Sequence, residues 1–275
     1  GKTTTTVKLT QRLEREGLRF LMLNLDDYFW SLVEHPTDWI NDRNYETPEA
    51  MDIQLLNQHL RALLAGETIE KPVYSFKEGR RIASKRIRLE RGQVLLLDCL
   101  HGLYPPITEG IAPAAQFRLF IENQNMLWEG DGSSRRLTRF TDVRLMRRML
   151  RDARHRNHSP LLTLLHWHYV RSGELFSIIP LSGLADHVVN GGFPFEIPAM
   201  KPLLCGTGGY FPRPEDLQPY RSFLDARIRY ERLQHLLDQV EGLSREQIAT
   251  CDLIPGDAVI REFIGGSTIQ IPHNE

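Results

Sequence analysis

The chain opens on Gly1-Lys2-Thr3-Thr4, residues whose types and order suit a phosphate. A Gly-Lys-Thr run at a helix start offers free backbone N–H groups and the positive end of the helix dipole. Its lysine can reach the β- and γ-phosphates, and its hydroxyl can ligate Mg²⁺. Gly1, Lys2, Thr3 and Thr4 are therefore read as the end of a P-loop, with Lys2 on the phosphates and Thr3 on the metal ion. The plain alternative is an ordinary helix with a lysine in its first turn. Two apolar runs, each ending in an acid, weigh against that alternative. Leu18 to Leu25 leads into Asp26-Asp27, and Val94 to Leu97 leads into Asp98. Carboxylates at the C-terminal ends of buried parallel strands stand where α/β sheets bind ligands. Asp26, nearest its strand, is the candidate general base for a substrate hydroxyl. Asp27 serves equally well as a cap or loop acid. Asp98, after a P-loop, is placed to hold Mg²⁺ or its water.

A third group of charges lies on the stretch from Thr141 to Arg156. At about 100° per residue, Met146, Met149, Leu150 and Ala153 fall on one side of a helix. Arg144, Arg147, Arg148, Arg151 and Arg154 fall within the opposite arc. Guanidiniums so crowded repel one another unless an anion neutralises them, and arginine's planar fork suits phosphate oxygens. With no glutamates at helical i±4 spacing, phosphate is weighed above a solvated face. A nucleic-acid backbone would serve the same arginines, but no aromatic interleaving or basic surplus supports it. His155, His158, His166 and His168 lack a companion acid or cysteine and are read as polar histidines rather than metal ligands.

The elements that must position these groups follow from periodicity. Thr3 to Glu16 reads as a helix with Val7 and Leu13 inward, ended by Gly17. Residues 30–46 read as a loop over the site. Thr47-Pro48-Glu49 has the signature of a helix start, with Thr47 as N-cap, and Met51, Leu55, Leu56, Leu60, Leu63 and Leu64 form the buried stripe up to Gly66. Lys71 to Phe76 is extended and Lys77 to Arg81 a tight turn. Tyr74 and Phe76 share a face, where they could clamp a planar ring or pack beneath a hairpin. Phe117 to Ile121 and Leu184 to Asn190 are further strands, and Trp128 to Ser134 a mobile loop. Gly206 to Pro214 reads as a linker, followed by a helix from Arg221 to Val240.

A chain of 275 residues, 41% hydrophobic and 25% charged, has the composition of an ordinary globular protein. Its net charge of −1 gives no global attraction to nucleic acid or membrane. No apolar run approaches the ~18–20 residues of a membrane span. Cys99, Cys205 and Cys251 are scattered and suit reduced thiols, so a cytoplasmic location is expected.

Several stretches, in order, carry a family likeness. They are Leu25-Asp26-Asp27-Tyr28-Phe29, Tyr45-Glu46-Thr47-Pro48-Glu49-Ala50-Met51-Asp52, Leu63-Leu64-Ala65-Gly66, Pro72-Val73-Tyr74-Ser75-Phe76 and Asp98-Cys99-Leu100-His101-Gly102-Leu103. Then come Asp142-Val143-Arg144-Leu145-Met146-Arg147-Arg148 with Arg151-Asp152, Arg171-Ser172-Gly173-Glu174, and Arg261-Glu262-Phe263-Ile264-Gly265-Gly266-Ser267. Together they make the chain resemble the uridine kinase branch of the phosphoribulokinase/uridine kinase family of P-loop kinases. The nearest likeness is to the bacterial type with threonyl-tRNA-synthetase-like N-terminal domains.

The resemblance implies a three-layer α/β P-loop fold with a parallel central sheet over residues 1–205, its first strand expected ahead of Gly1. A mainly helical extension over 206–275 is expected to pack on it. It implies ATP and Mg²⁺ as cofactors and a small-molecule acceptor, a nucleoside, taking the γ-phosphoryl on its 5′-hydroxyl. By the same likeness Asp26 is the base, Glu46 holds the sugar hydroxyls, and Tyr74 and Phe76 face the nucleobase. Arg144 contacts the substrate, with Tyr28 and Arg81 completing that group, while Arg147 and Arg151 gather the phosphates of ATP. The chain departs from the family at Gly79, where relatives have a base-reading histidine, at Ser75, where aspartate is usual, and at Cys99, where glycine is usual. Asp98 stands where glutamate is commoner. These departures keep two alternatives open: a kinase for a sugar or sugar phosphate, and a silent nucleotide-binding regulatory module. A homo-oligomer is compatible with the sequence.

Overall fold

The computed structural model of the chain describes residues 1–37, 43–128, 137–155, 158–250 and 252–270. Residues 38–42 of the expected loop over 30–46, most of the loop at 128–134, Arg156 and Cys251 lie outside them. The strands are β1 (Arg19–Asn24), β2 (Thr68–Ser75), β3 (Arg80–Arg88), β4 (Gln93–Asp98), β5 (Leu119–Glu122) and β6 (His187–Asn190). The α-helices are α1 (Lys2–Arg15), α2 (Ile53–Leu64), α3 (Phe140–His155), α4 (Pro160–Leu165), α5 (Trp167–Gly173), α6 (Glu196–Leu204), α7 (Leu224–Gln239), α8 (Arg245–Ala249) and α9 (Arg261–Ile264). The class is α/β, as expected. Among the described residues no helix is long and apolar enough to cross a membrane.

Two compact units divide the chain. The first holds Lys2–Phe120 and Ser172–Val188, the second Gly1, Ile121–Arg171 and Val189–Gln270. The division does not fall at residue 205. Leu204 of α6 shares one core with Leu233, Leu236 and Leu237 of α7, so the helices after the glycine-rich stretch belong with α3 and α6.

In the first unit β1 and β4 run parallel, with Asn24 opposite Asp98. Their apolar runs were expected to be buried on both faces, yet only Leu23 of β1 is fully buried and Met22 remains 44% exposed. Among the described residues each strand has a single strand neighbour, in sheets of two strands. Helix α1 ends at Gly17 (φ 90), as its sequence predicts. Its most buried members are Thr4 and Thr10, not Val7 and Leu13.

Thr47 proves not to be the cap of α2. Pro48–Ala50 is a single 3-10 turn, and Met51 is extended and bridges Phe29. The helix starts only at Ile53, where Asp52 Oδ1 accepts the Leu55 N–H at 3.0 Å. Leu56, Leu60 and Leu63 are buried, whereas Leu64 is exposed. Antiparallel β2 and β3 form a hairpin with an irregularity between Val73 and Tyr74. The hairpin turns on Gly79 (φ 63), a conformation that suits glycine.

In the second unit the apolar side of α3 behaves as read: Met146, Met149 and Leu150 are fully buried, with Val143 and Leu145. They pack with Leu164, Trp167, Met200 and Phe263. Buried Arg261 gathers the carbonyls of Ile248 (2.7 Å) and Thr250 (3.0 Å), which gives the Arg261–Ser267 motif a structural purpose.

Candidate active site

The parallel register of β1 and β4 ends with Asn24 opposite Asp98, so the residues that follow both strands emerge side by side. Asn24 Oδ1 accepts the Asp26 N–H at 3.1 Å and caps the 3-10 turn Leu25–Tyr28. Lys2, first residue of α1, places Nζ 2.6 Å from Asp98 Oδ1. Lys2, Asp98 and Asp26 all act electrostatically on Cys99, whose thiol burial pushes up to about 12. Thus the expected phosphate lysine, metal acid and general base gather at one end of one strand pair. The Lys2–Asp98 pair is partly exposed, and such pairs contribute about 1 kcal/mol or less. An entering phosphate can therefore displace Asp98 from the ammonium at small cost.

Asp27, the rival of Asp26, is occupied. It pairs with Lys71 and accepts the Tyr74 N–H at 3.1 Å, tying the strand end to β2. Breaking a buried pair by removing one partner costs about 3–5 kcal/mol, so Asp27 is an anchor and not a proton acceptor.

Behind these acids lies a cluster of rings. Phe29 packs edge-on to Tyr74 (5.8 Å), Phe76 (6.0 Å) and Tyr45 (6.1 Å) and tilted to His35 (5.5 Å). Tyr74 and Phe76 are 5.2 Å apart, Phe76 at the exposed edge and Tyr74 buried. Glu46 follows Tyr45 in the chain, and its N–H donates to Asn44 Oδ1 at 3.0 Å. A Cβ on Gly173 would overlap the Glu46 carbonyl, so that glycine lets α5 end against the Glu46 backbone.

Two members of the expected substrate group are held elsewhere. Tyr28 is fully buried, with its hydroxyl 3.0 Å from His59 Nδ1. This corrects its assignment: its ring belongs to the core under α2, where burial first, then Asp27, pushes its pKa up. Arg81 donates to Asp52 Oδ2 (3.2 Å) and to the Tyr28 carbonyl (2.9 Å) and lies over the Trp30 ring. In this structure it braces the α2 cap.

The arginines of α3 also differ from their reading. Arg147 is not on a free face: it donates to Glu196 Oε2 (2.7 Å) and to the Gly191 carbonyl (2.8 Å) and sits over the Phe263 ring. Glu196 lies 49 residues away, beyond any i±4 count. Arg148 does have a helical partner, Asp152 at 3.1 Å, and Arg154 donates to the Phe263 carbonyl at 2.9 Å. Arg151 lies 3.8 Å from Asp152. Arg144 and Arg151 are both half-buried on the same helix. A Cβ on Gly1 would overlap Val259, so this first position admits only glycine without a shift.

Two histidines have no sequence signal for their burial. His101 follows Asp98 on the loop after β4, is 4% exposed, and both ring nitrogens lack a hydrogen-bond partner among the described residues. Burial drives its pKa down to about 4 against the pull of Glu46 and Glu49, with Lys2 adding to the fall. His35 lies inside the ring cluster. An acid at the end of an apolar run and the family-like stretch Asp98 to Leu103 mark the loop that carries His101, but neither announces the burial of its ring.

Residues 1–129 match the model of the Phosphoribulokinase / Uridine kinase family. A uridine kinase from Deinococcus deserti is 29% identical over 193 residues, 70% of this chain and 83% of that protein. One from Erwinia tasmaniensis is 33% identical over 150 residues, 54% of this chain and 61% of that protein. Uridine-cytidine kinase B from Dictyostelium discoideum is 25% identical over 193 residues, 70% of each chain. The match thus spans from about three fifths to about four fifths of these relatives.

Proposed function

We infer that this chain belongs to the phosphoribulokinase/uridine kinase family of P-loop kinases, whose model matches residues 1–129. It is an ATP-dependent phosphotransferase that moves the γ-phosphoryl group to the 5′-hydroxyl of a nucleoside such as uridine or cytidine. The observation that supports this reading is the parallel register of β1 with β4, which pairs Asn24, two residues before Asp26, with Asp98, the partner of Lys2.

Each residue has a part. Asp26 accepts the proton of the acceptor hydroxyl as that oxygen bonds to the γ-phosphorus. The bond from this phosphorus to the β,γ-bridging oxygen breaks, and ADP leaves. Lys2 turns from Asp98 to the phosphate oxygens, and the first N–H groups of α1 receive them. The Thr3 hydroxyl and the Asp98 carboxylate are hard oxygen donors of the kind Mg²⁺ takes, and they would hold it. Mg²⁺, when bound, neutralises phosphate charge. Glu46 receives the sugar hydroxyls, and Tyr74 and Phe76 the base. Arg144 and Arg151 remain candidates for substrate and ATP. Arg147 would reach ATP only by leaving Glu196.

A second reading, a kinase for a sugar or sugar phosphate, draws on Ser75 and Gly79. Ser75 Oγ accepts the Glu78 N–H at 3.2 Å, and a Cβ at Gly79 would overlap Leu32, so neither position lends a side chain to a base. ADP release measured over a panel of nucleosides, sugars and sugar phosphates separates the two. Turnover confined to nucleosides is expected. Turnover confined to sugars would install the second reading, and none with any acceptor would point to a silent module.

A further inference from the structure

The ring cluster contains two buried polar atoms with no hydrogen-bond partner among the described residues. His35 is 3% exposed and its Nε2 lies 3.0 Å from the Trp30 carbonyl. A carbonyl only accepts, so Nε2 carries the hydrogen and Nδ1 is left with a bare lone pair. Burial lowers the pKa of the ring and Arg43 lowers it further, against the Trp30 bond, which keeps it in this neutral form. His35 Nδ1 has no partner among the described residues, and neither has the buried Tyr74 hydroxyl. Both rings touch Phe29, and Tyr45, on the more exposed side, covers His35 at 4.6 Å. Leaving a buried polar atom unpaired is unfavourable, and a ligand supplying the missing partners would remove that cost.

We propose that His35 is a specificity-determining residue that reads the planar base of the acceptor. The base enters among Phe29, Tyr45 and Phe76, displacing Tyr45 from its cover over His35. Nδ1 accepts an N–H of the base, and the Tyr74 hydroxyl donates to the acceptor atom next to it. The ligand class is a heterocycle with a donor and an acceptor side by side. Uracil offers N3–H beside a ring carbonyl, and cytosine its amine beside N3. The inference rests on the nucleoside reading above and adds to it which atoms select the base. The turn at Gly79 is closed by Leu32, so the selecting group comes instead from the segment after Phe29.

The test uses uridine and 3-methyluridine, which lacks the N3–H, with the wild-type chain, His35→Phe and His35→Asn. Losing a hydrogen bond to a buried acceptor changes affinity by about 10- to 100-fold. The wild type is expected to show a KM for 3-methyluridine higher than for uridine by that factor. His35→Phe raises the KM for uridine about 10-fold or more, keeps kcat within about 3-fold, and closes the gap between the two nucleosides. His35→Asn, which keeps an acceptor near the Nδ1 position, restores part of the gap. A wild-type enzyme that takes both nucleosides alike, or a His35→Phe variant with unchanged KM for uridine, overturns the inference and leaves the kinase reading standing. A wild type that phosphorylates no nucleoside overturns both. The comparison of nucleosides on the unaltered chain needs no variant to fold.

Discussion

Two sets of charges received the same reading from the sequence and have different fates in the structure. In the first unit, Lys2 and Asp98 meet at 2.6 Å where β1 and β4 end, partly open to solvent. In the second unit, Arg147 is buried on Glu196 and the Gly191 carbonyl, while half-buried Arg148 pairs with Asp152 and exposed Arg154 donates to the Phe263 carbonyl. A cation meant for a ligand keeps a partner that it can leave at small cost. Arg147, which serves the fold, is enclosed by partners it cannot leave. Residue type and spacing on a helix do not tell these cases apart, because the deciding partner is distant in sequence.

The contrast breaks first at Glu196. Glu196→Ala strands a buried guanidinium and should cost about 3–5 kcal/mol, a fall in Tm of roughly 10 °C. Thermal unfolding followed by circular dichroism measures it. An unchanged Tm would return Arg147 to the ligand-binding set.

His101 sharpens the comparison within the first unit. Its pKa is about 4 in the folded chain, against an ordinary 6.5. Between these values the unfolded chain holds the proton and the folded chain does not. Stability is therefore full above about pH 6.5 and falls as the pH drops toward 4, by about 2–3 kcal/mol. His101→Leu should remove that share of the slope in urea titrations at pH 7, 6, 5 and 4. Equal slopes for both proteins would mean that His101 is accessible to protons when folded.

The smallest effect belongs to Arg148. Its pair with Asp152 spans one helical turn, its guanidinium is partly open to solvent and Asp152 keeps the Thr163 hydroxyl, so Arg148→Ala should lower stability by about 1 kcal/mol or less. A loss several times larger, read from the same urea titrations, would place Arg148 with Arg147 as part of the fold.

Much of this was legible in the sequence where physics is local. The apolar runs before Asp26 and Asp98 gave the parallel strands β1 and β4, although most of their residues are only partly buried. Gly17 and Gly66 ended helices because only glycine relaxes at their positive φ. What failed was decided by distant contacts. Thr47 has cap chemistry, but the Phe29–Met51 bridge keeps the chain extended and hands the cap to Asp52. Strand β3, with the sequence Arg-Arg-Ile-Ala-Ser-Lys-Arg-Ile-Arg, has too few apolar residues to declare itself and exists by pairing with β2. Tyr28 adjoins the acids in sequence, yet its hydroxyl finds His59, 31 residues away. Asp26 and Asp27 are chemically equal in the chain, and only Lys71 and the Tyr74 N–H separate them.

That separation bears on the central claim, and kinetics of Asp26→Asn beside Asp27→Asn examine it most directly. The account predicts that Asp26→Asn lowers kcat for uridine by about 10²–10⁴-fold, the usual worth of a general base, while ATP affinity by calorimetry stays within a few-fold. Asp27→Asn should instead lower Tm and leave residual kcat near that of the wild type at a temperature where it is folded. An Asp26→Asn enzyme turning over at the wild-type rate, or a loss of kcat confined to Asp27→Asn, would contradict it.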